Sequence, residues 1–361
     1  MKITHANINL ITVNDDDACY LPFARQPQAR QVITVSLRAE GGINGIGVCY
    51  GYRGLAKGLL AITRELADCV VGESLHAYEH IHKRLSQHAA TFADCGLFLT
   101  ALSAIDVALW DLKGKYAELP WWRLLGGTRQ RITTYASGPL HRGLSDEQVV
   151  EQALELERRG FGYIKLHLGL DGPFNLIREV QRARAVKDAL SPTTQLMCDI
   201  NERWAVGDAT AVGAHLAALG LYCIEDPIHH HDYRGLAAIT QAVPTRIMAG
   251  ENWWGPWSFQ HALAERSMDI AMIDLQHVGG VTGWMKVATM AAAHHVPVVS
   301  HIMPEFQAHL VAAAPNGLMC EHKEWTWGLF EHLPVLINGQ WELSERHGHG
   351  LVFSAANETL N

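Results

Sequence analysis

From about residue 131 onward the chain alternates short apolar runs with helical stretches, unit after unit. "ITTYAS" leads into "SDEQVVEQALELERRG", where Ser145 is placed to cap the helix. "FGYIKLHLG" leads into "NLIREVQRARAVKDAL", and "TQLMCDIN" into "DATAVGAHLAALG". "LYCIEDP", "TRIMAGE", "MDIAMIDL" and "VPVVSH" are each followed in the same way. A helix between two strands carries the chain back to begin the next strand in the same direction, so the repeat demands a parallel sheet covered by helices. About seven strand ends in some 190 residues fit a closed (β/α) barrel better than an open sheet, and no Gly-x-Gly-x-x-Gly opens the first unit.

The polar residues that close these runs are in phase with the repeat. They are Ser137, Lys165 with His167, Asp199 with Asn201, Glu225 with Asp226, Glu251 with Asn252, Asp274, His301 and Glu321. From Lys165 to Glu321 successive positions differ by 34, 26, 26, 23, 27 and 20 residues. One barrel unit is roughly 30 residues, so these side chains fall once per unit at the carboxyl end of a strand, the face that carries the active site in this architecture.

Three successive strand ends supply Asp199, Glu225 and Glu251. Three carboxylates with no thiolate or imidazole among them suit a hard divalent cation, Mg²⁺ above all. Asp274 and His301 follow on the next two units. A carboxylate beside an imidazole fixes its tautomer and raises its basicity, as a general acid/base requires; a hydrogen-bonded core histidine gives the same pattern. Lys165 and His167 are two apart on one strand and point the same way. Facing the barrel mouth, the ammonium would disfavour protonation of the imidazole and leave His167 a neutral base; a solvated lysine beside a packing histidine reads identically.

The rest of the chain sets limits. A net charge of -8 argues against nucleic acid or an anionic membrane surface as partner. No apolar run approaches the roughly 20 residues of a membrane helix. The opening "MKITHANINLITVN" reads as a strand rather than a signal peptide, so the cytoplasm is the expected compartment. Seven scattered cysteines without Cys-x-x-Cys form neither a disulfide framework nor a thiolate metal site. The first 120 or so residues mix a hairpin, "QVITVSLRAEGGINGIGVCYG", with helical spacing from Leu55 to His88 and the helix "TALSAIDVALWDLKGKYA". "LLGGTRQR" reads as a linker. The run His229-His230-His231 is read as loop, since three consecutive histidines are not expected to face one metal; "HGHG" is read as a turn.

These motifs together resemble the mandelate racemase subgroup of the enolase superfamily. "KLH", "DIN", "IEDP", "GENWWGP", "DLQHVGGVTGW", "SHIMPE" and "CEH" fall in its order and spacing, and "ALSAIDVALWDLKGK" is similar to its capping-domain signature. The resemblance covers nearly the whole chain. It implies a modified (β/α)7β TIM barrel, an α/β fold, with an α+β capping domain at 1–125, the barrel at 126–322, and a segment at 323–361 packing back on the cap. It implies one Mg²⁺ per subunit on Asp199, Glu225 and Glu251, and His301 with Asp274 as acid/base. Glu321 matches the acid that, protonated, hydrogen-bonds a substrate carboxylate as it becomes an enediolate. Ser137 and Asn201 match positions touching substrate or metal-bound oxygens. Lys165 matches the first lysine of a Lys-x-Lys motif, whose second position is here His167. A homo-oligomer of fourfold symmetry, such as an octamer, is implied as well.

The cap chooses the substrate in that family. Its loops carry Arg25, Arg30, Tyr52 and Arg53, which suit a hydroxylated, doubly anionic acid better than an aryl one, unless they are solvated surface charges. The expected activity is dehydration of an aldonate or aldarate to a 2-keto-3-deoxy acid, with racemisation or epimerisation of a 2-hydroxy acid as the alternative.

Overall fold

The computed structural model describes residues 1–14, 29–51, 53–323 and 327–354. The chain opens with three strands, β1 (Ile3–Asn14), β2 (Ala29–Ala39) and β3 (Asn44–Gly51), paired in order and antiparallel. Helices α1 (Ala56–Val70), α2 (Tyr78–Ala89) and α3 (Gly96–Tyr116) follow. The helical spacing from Leu55 to His88 thus belongs to two helices rather than one. Their link is held by tertiary pairing, with Gly72 N–H donating to Ile3 O at 2.8 Å and Ile3 N–H to Glu73 O at 3.0 Å.

Helix α3 lies against β3 so closely that a Cβ at Gly47 would sit 2.1 Å from the carbonyl oxygen of Ala104. That neighbour is backbone and cannot rotate away. Gly47→Ala is therefore expected to cost about 1–3 kcal/mol by forcing β3 from α3. A denaturant midpoint equal to that of the parent chain would refute this contact.

After the short helix α4 (Trp121–Leu124) the barrel begins. Its strands are β4 (Arg131–Leu140), β5 (Tyr163–His167), β6 (Gln195–Asp199), β7 (Cys223–Glu225), β8 (Arg246–Ala249), β9 (Ile270–Asp274), β10 (Val298–His301) and β11 (Gly317–His322). Neighbours pair in parallel, and β11 returns to pair with β4, Glu321 opposite Tyr135, which closes the ring. Between them run α5 (Asp146–Arg158), α6 (Leu176–Ala189), α7 (Val206–Ala218), α8 (Tyr233–Ala242), α9 (Gly255–Glu265), α10 (Val281–Ala293) and α11 (Pro304–Ala313). Eight strands and seven helices make the (β/α)7β barrel that the sequence implies. Ser145 caps α5 in a full capping box with Gln148.

Tyr135, Met197, Cys223, Met248, Met272, Val299 and Met319 fill the barrel interior and are buried. This apolar plug is a dry floor beneath the polar strand ends, where charges interact more strongly than in water.

Beyond the barrel come β12 (Phe330–Glu331), β13 (Val335–Ile337), β14 (Gln340–Glu342) and β15 (Val352–Phe353). Strand β14 pairs antiparallel with the start of β4, and β12 with β15. Further on, the His349 ring lies 3.1 Å from the carbonyl oxygen of Ile46 on β3. The tail thus touches both barrel and cap. The cap is also joined to the barrel through Asp106 on α3, which accepts from Thr282 N at 2.9 Å and Thr282 Oγ1 at 2.6 Å.

Candidate active site

Strand register places the polar ends level with one another. His167 pairs with Asp199, Asp199 with Glu225, and Asp274 with His301. Because parallel neighbours lie about 4.8 Å apart, each register pair sets two such side chains side by side at the barrel mouth. Glu251 reaches that row by a different device. Strand β8 ends at Ala249, and Gly250 follows with φ +136°, a conformation L side chains rarely adopt. A Cβ there would also lie 2.3 Å from the carbonyl oxygen of Met272. The glycine turns the chain and sets Glu251 beside its neighbours, where Glu251 Oε2 lies 3.2 Å from His301 Nε2.

Lys165 is buried at the centre of these acids. Its ammonium donates to both oxygens of Glu225, at 2.9 and 2.7 Å, and to Glu321 Oε1 at 3.1 Å, with Asp199 Oδ2 at 3.9 Å. Burial alone would lower Lys165, but Glu225 and Glu321 outweigh it and hold the amine well above its ordinary range. One ammonium cannot neutralise this many carboxylates. Glu225, desolvated and flanked by Asp199, Glu251 and Glu321, is pushed well above the usual carboxylate range against the pull of Lys165. Asp199 goes the other way: burial would raise it, but Lys165 and His167 hold it below.

His167 presents Nε2 to Asp199 Oδ2 at 3.3 Å. Burial comes first among the causes that lower its pKa, and the Lys165 charge adds a smaller push in the same direction. The imidazole is therefore neutral near pH 7, mainly because it is desolvated.

On β10, His301 Nδ1 lies 2.7 Å from Asp274 Oδ2. Asp274 is held in turn by the backbone N–H groups of Gln276 at 2.7 Å and His277 at 3.0 Å. Burial disfavours the His301 charge, yet Glu251 and Asp274 carry it up to about 9. Tyr50 N–H on β3 donates to Gln276 Oε1 at 2.6 Å, which ties the cap directly to this dyad.

Glu321 accepts from Ile302 N–H at 2.5 Å and from the Ser137 hydroxyl as well as from Lys165. Burial raises its pKa, but Lys165 and His301 outweigh that and bring it to about 2. Glu321 is thus ionised here, whereas the family role asks for a protonated acid. A substrate carboxylate brought beside it is the added negative charge that would push it back up.

The sequence-derived residues Ser137, Lys165, His167, Asp199, Asn201, Glu225, Glu251, Asp274, His301 and Glu321 all stand at the strand ends of one mouth. Arg25 and Tyr52 lie outside the described residues, as does the side chain of Arg53; Arg30 is the second residue of β2. Several contributors carry no motif. Arg142, just past β4, donates to Asn201 Oδ1 at 2.6 Å, and Asn201 Nδ2 donates to Asp199 Oδ2 at 2.8 Å. Gln307 on α11 donates to the carbonyl oxygens of His301 and Ile302. Asn201, Glu202, Asp226, Ile302 and Met303 all have φ between 40° and 63°. Left-handed backbone is costly for such residues, above all for a β-branched one, and it gathers here directly after β6, β7 and β10.

The donor set of Asp199, Glu225 and Glu251 fits Mg²⁺ in chemistry: hard oxygens on three adjacent strands, close enough to raise Glu225. Their oxygens do not all come within 4.8 Å of one another, and Glu225 accepts from the Lys165 ammonium. Among the described residues, the one trio that meets this spacing is His229, His230 and His231. The run is loop, as the sequence reading has it, yet its three ring nitrogens lie near one another. A turn at 230–231 replaces the alternation of an extended strand and stacks the rings.

A closed barrel whose mouth carries a carboxylate row flanked by a lysine and two histidines, beneath an α+β cap, has the make-up of an enzyme active site. The "Mandelate racemase / muconate lactonizing enzyme, N-terminal domain" family matches residues 8–126, and "Enolase C-terminal domain-like" matches 148–357. The chain belongs to the mandelate racemase/muconate lactonizing enzyme family of the enolase superfamily. L-talarate/galactarate dehydratase of Salmonella typhimurium is 32% identical over 90% of this chain and 80% of its own length. L-Ala-D/L-Glu epimerase of Bacillus subtilis is 29% identical over 70% of this chain and 67% of its own. The crystal structure of L-talarate dehydratase from Polaromonas sp. JS666, complexed with Mg and L-glucarate, superposes with a TM-score of 0.91 at 28% identity, covering 99% of this chain and 97% of that one.

Proposed function

We propose that this enzyme dehydrates a sugar acid, an aldonate or aldarate, to a 2-keto-3-deoxy acid. The observation that carries the reading is the placement of two kinds of basic group on separate strands around one carboxylate row: Lys165 and His167 on β5, and the Asp274–His301 dyad on β10. Asp199, Glu225 and Glu251 would hold Mg²⁺, which when bound supplies positive charge against the substrate carboxylate. His167, neutral, takes the proton next to that carboxylate. His301, charged and oriented by Asp274, delivers a proton to the departing β-hydroxyl. Glu321, with Ser137 and the Ile302 N–H behind it, receives a substrate carboxylate oxygen. The dehydratase relatives, among them those acting on talarate and arabinonate, support the same choice.

The same two-sided arrangement also supports a second reading, racemisation or epimerisation, as in the epimerase relative. A library of aldonic and aldaric acids, incubated with enzyme and Mg²⁺, separates the two. Keto-acid formation that stops with chelator and resumes with Mg²⁺ is expected. Solvent deuterium entering recovered substrate with no keto acid would transfer the assignment to the epimerase.

A further inference from the structure

Three imidazoles stand together on the loop after β7, and nothing in the proposed reaction uses them. The His229 and His230 rings stack at 4.4 Å and 20°, and the His230 and His231 centroids are 4.1 Å apart. One ring nitrogen from each lies within 4.8 Å of the others.

The loop is built to hold them. His230 is partly buried, and its backbone N–H donates to Glu202 Oε1 at 2.9 Å, with its ring Nδ1 2.7 Å from the same oxygen. Its carbonyl accepts from Trp253 Nε1 at 2.9 Å. Asp232 N–H closes the turn onto His229 O at 3.0 Å, and the Asp232 carboxylate caps α8. A carboxylate that accepts a hydrogen bond from Nδ1–H leaves Nε2 with its lone pair free, the arrangement that orients histidine ligands in metal sites. His229 and His231 are exposed. Tetrahedral zinc at 2.0–2.1 Å from each nitrogen needs separations of about 3.4 Å, so on binding the stacked His229 and His230 rings would turn about their side-chain torsions to aim both lone pairs at one ion.

We propose that His229, His230 and His231 form a second metal site on the rim of the barrel mouth, selective for a borderline divalent cation such as Zn²⁺ or Ni²⁺ over Mg²⁺. Imidazole ligands favour the later first-row metals, whereas the carboxylate row favours Mg²⁺. The remaining coordination positions face solvent, and Glu202 orients the central ligand.

The test is a Zn²⁺ titration of the full chain with the carboxylate row kept saturated by excess Mg²⁺, read by calorimetry. Co²⁺ absorption reports the ligand set. The parent chain is expected to bind one equivalent of Zn²⁺ that the His229→Ala/His231→Ala double variant lacks. Glu202→Gln is expected to weaken that equivalent by about 10–100-fold without abolishing it. Circular dichroism checks that each variant is folded. Equal Zn²⁺ stoichiometry and affinity in the parent and the double variant would overturn the proposal, as would Mg²⁺ displacing the extra equivalent at millimolar concentration.

Discussion

His301→Asn is expected to lower turnover by about 10²- to 10⁴-fold, the span that removal of a general acid/base covers. Asparagine keeps the size and one hydrogen bond to Asp274, so the fold should persist by circular dichroism. Deuterium exchange into the substrate divides the roles. If His167 removes the proton and His301 only protonates the leaving hydroxyl, exchange survives in His301→Asn while keto acid disappears. Turnover within about fivefold of the parent would remove His301 from the mechanism. The pH dependence follows from its elevation to about 9 by Glu251 and Asp274 against burial. Asp274 favours a charged His301 even where a bound cation offsets Glu251, so dehydration should fall on the alkaline side, and Asp274→Asn should move that limb to lower pH. The stability that His301 contributes has the same sign. It is fully present below the ordinary value of 6.5 and is lost as pH rises through about 9.

Lys165→Met carries the second large effect. It removes an ammonium that donates to both Glu225 and Glu321, all three being buried. Removing one partner from a buried ionic cluster leaves uncompensated charge and costs about 3–5 kcal/mol. The loss is expected as a lower denaturant midpoint at pH 8. It should shrink toward acid pH, where the carboxylates take up protons instead, Glu225 first because its pKa already lies high. A midpoint unchanged at pH 8 would mean that Lys165 is not what holds these acids together.

Most of the scaffold could be read from residue order. The βα period, the helix that becomes α3 and the Ser145 N-cap are local patterns, and a local pattern survives in a linear string. So was the row of acids, because a strand end recurs once per unit and the register of parallel neighbours then aligns those ends. The helical spacing from Leu55 to His88 holds, but where it breaks is decided by pairing with β1 at Ile3. Arg142 and Gln307 were invisible for a related reason: their partners, Asn201 and the His301 carbonyl, are supplied by other elements. Beyond a neutral His167 beside Lys165, spacing says little of charge state. Lys165, Glu225 and Glu321 take theirs from burial beside one another.

The sequence by itself determined the barrel and the identity of the acids and imidazoles at the strand ends, because periodicity and strand-end phase are properties of order along a chain, while the cap came from the family resemblance. Only the tertiary structure decided which acid Lys165 grips, which histidine is charged, how Gly250 turns Glu251 into the row, and that His229, His230 and His231 converge. Those outcomes depend on distance and dielectric between groups far apart in sequence, and neither quantity exists until the chain has closed on itself.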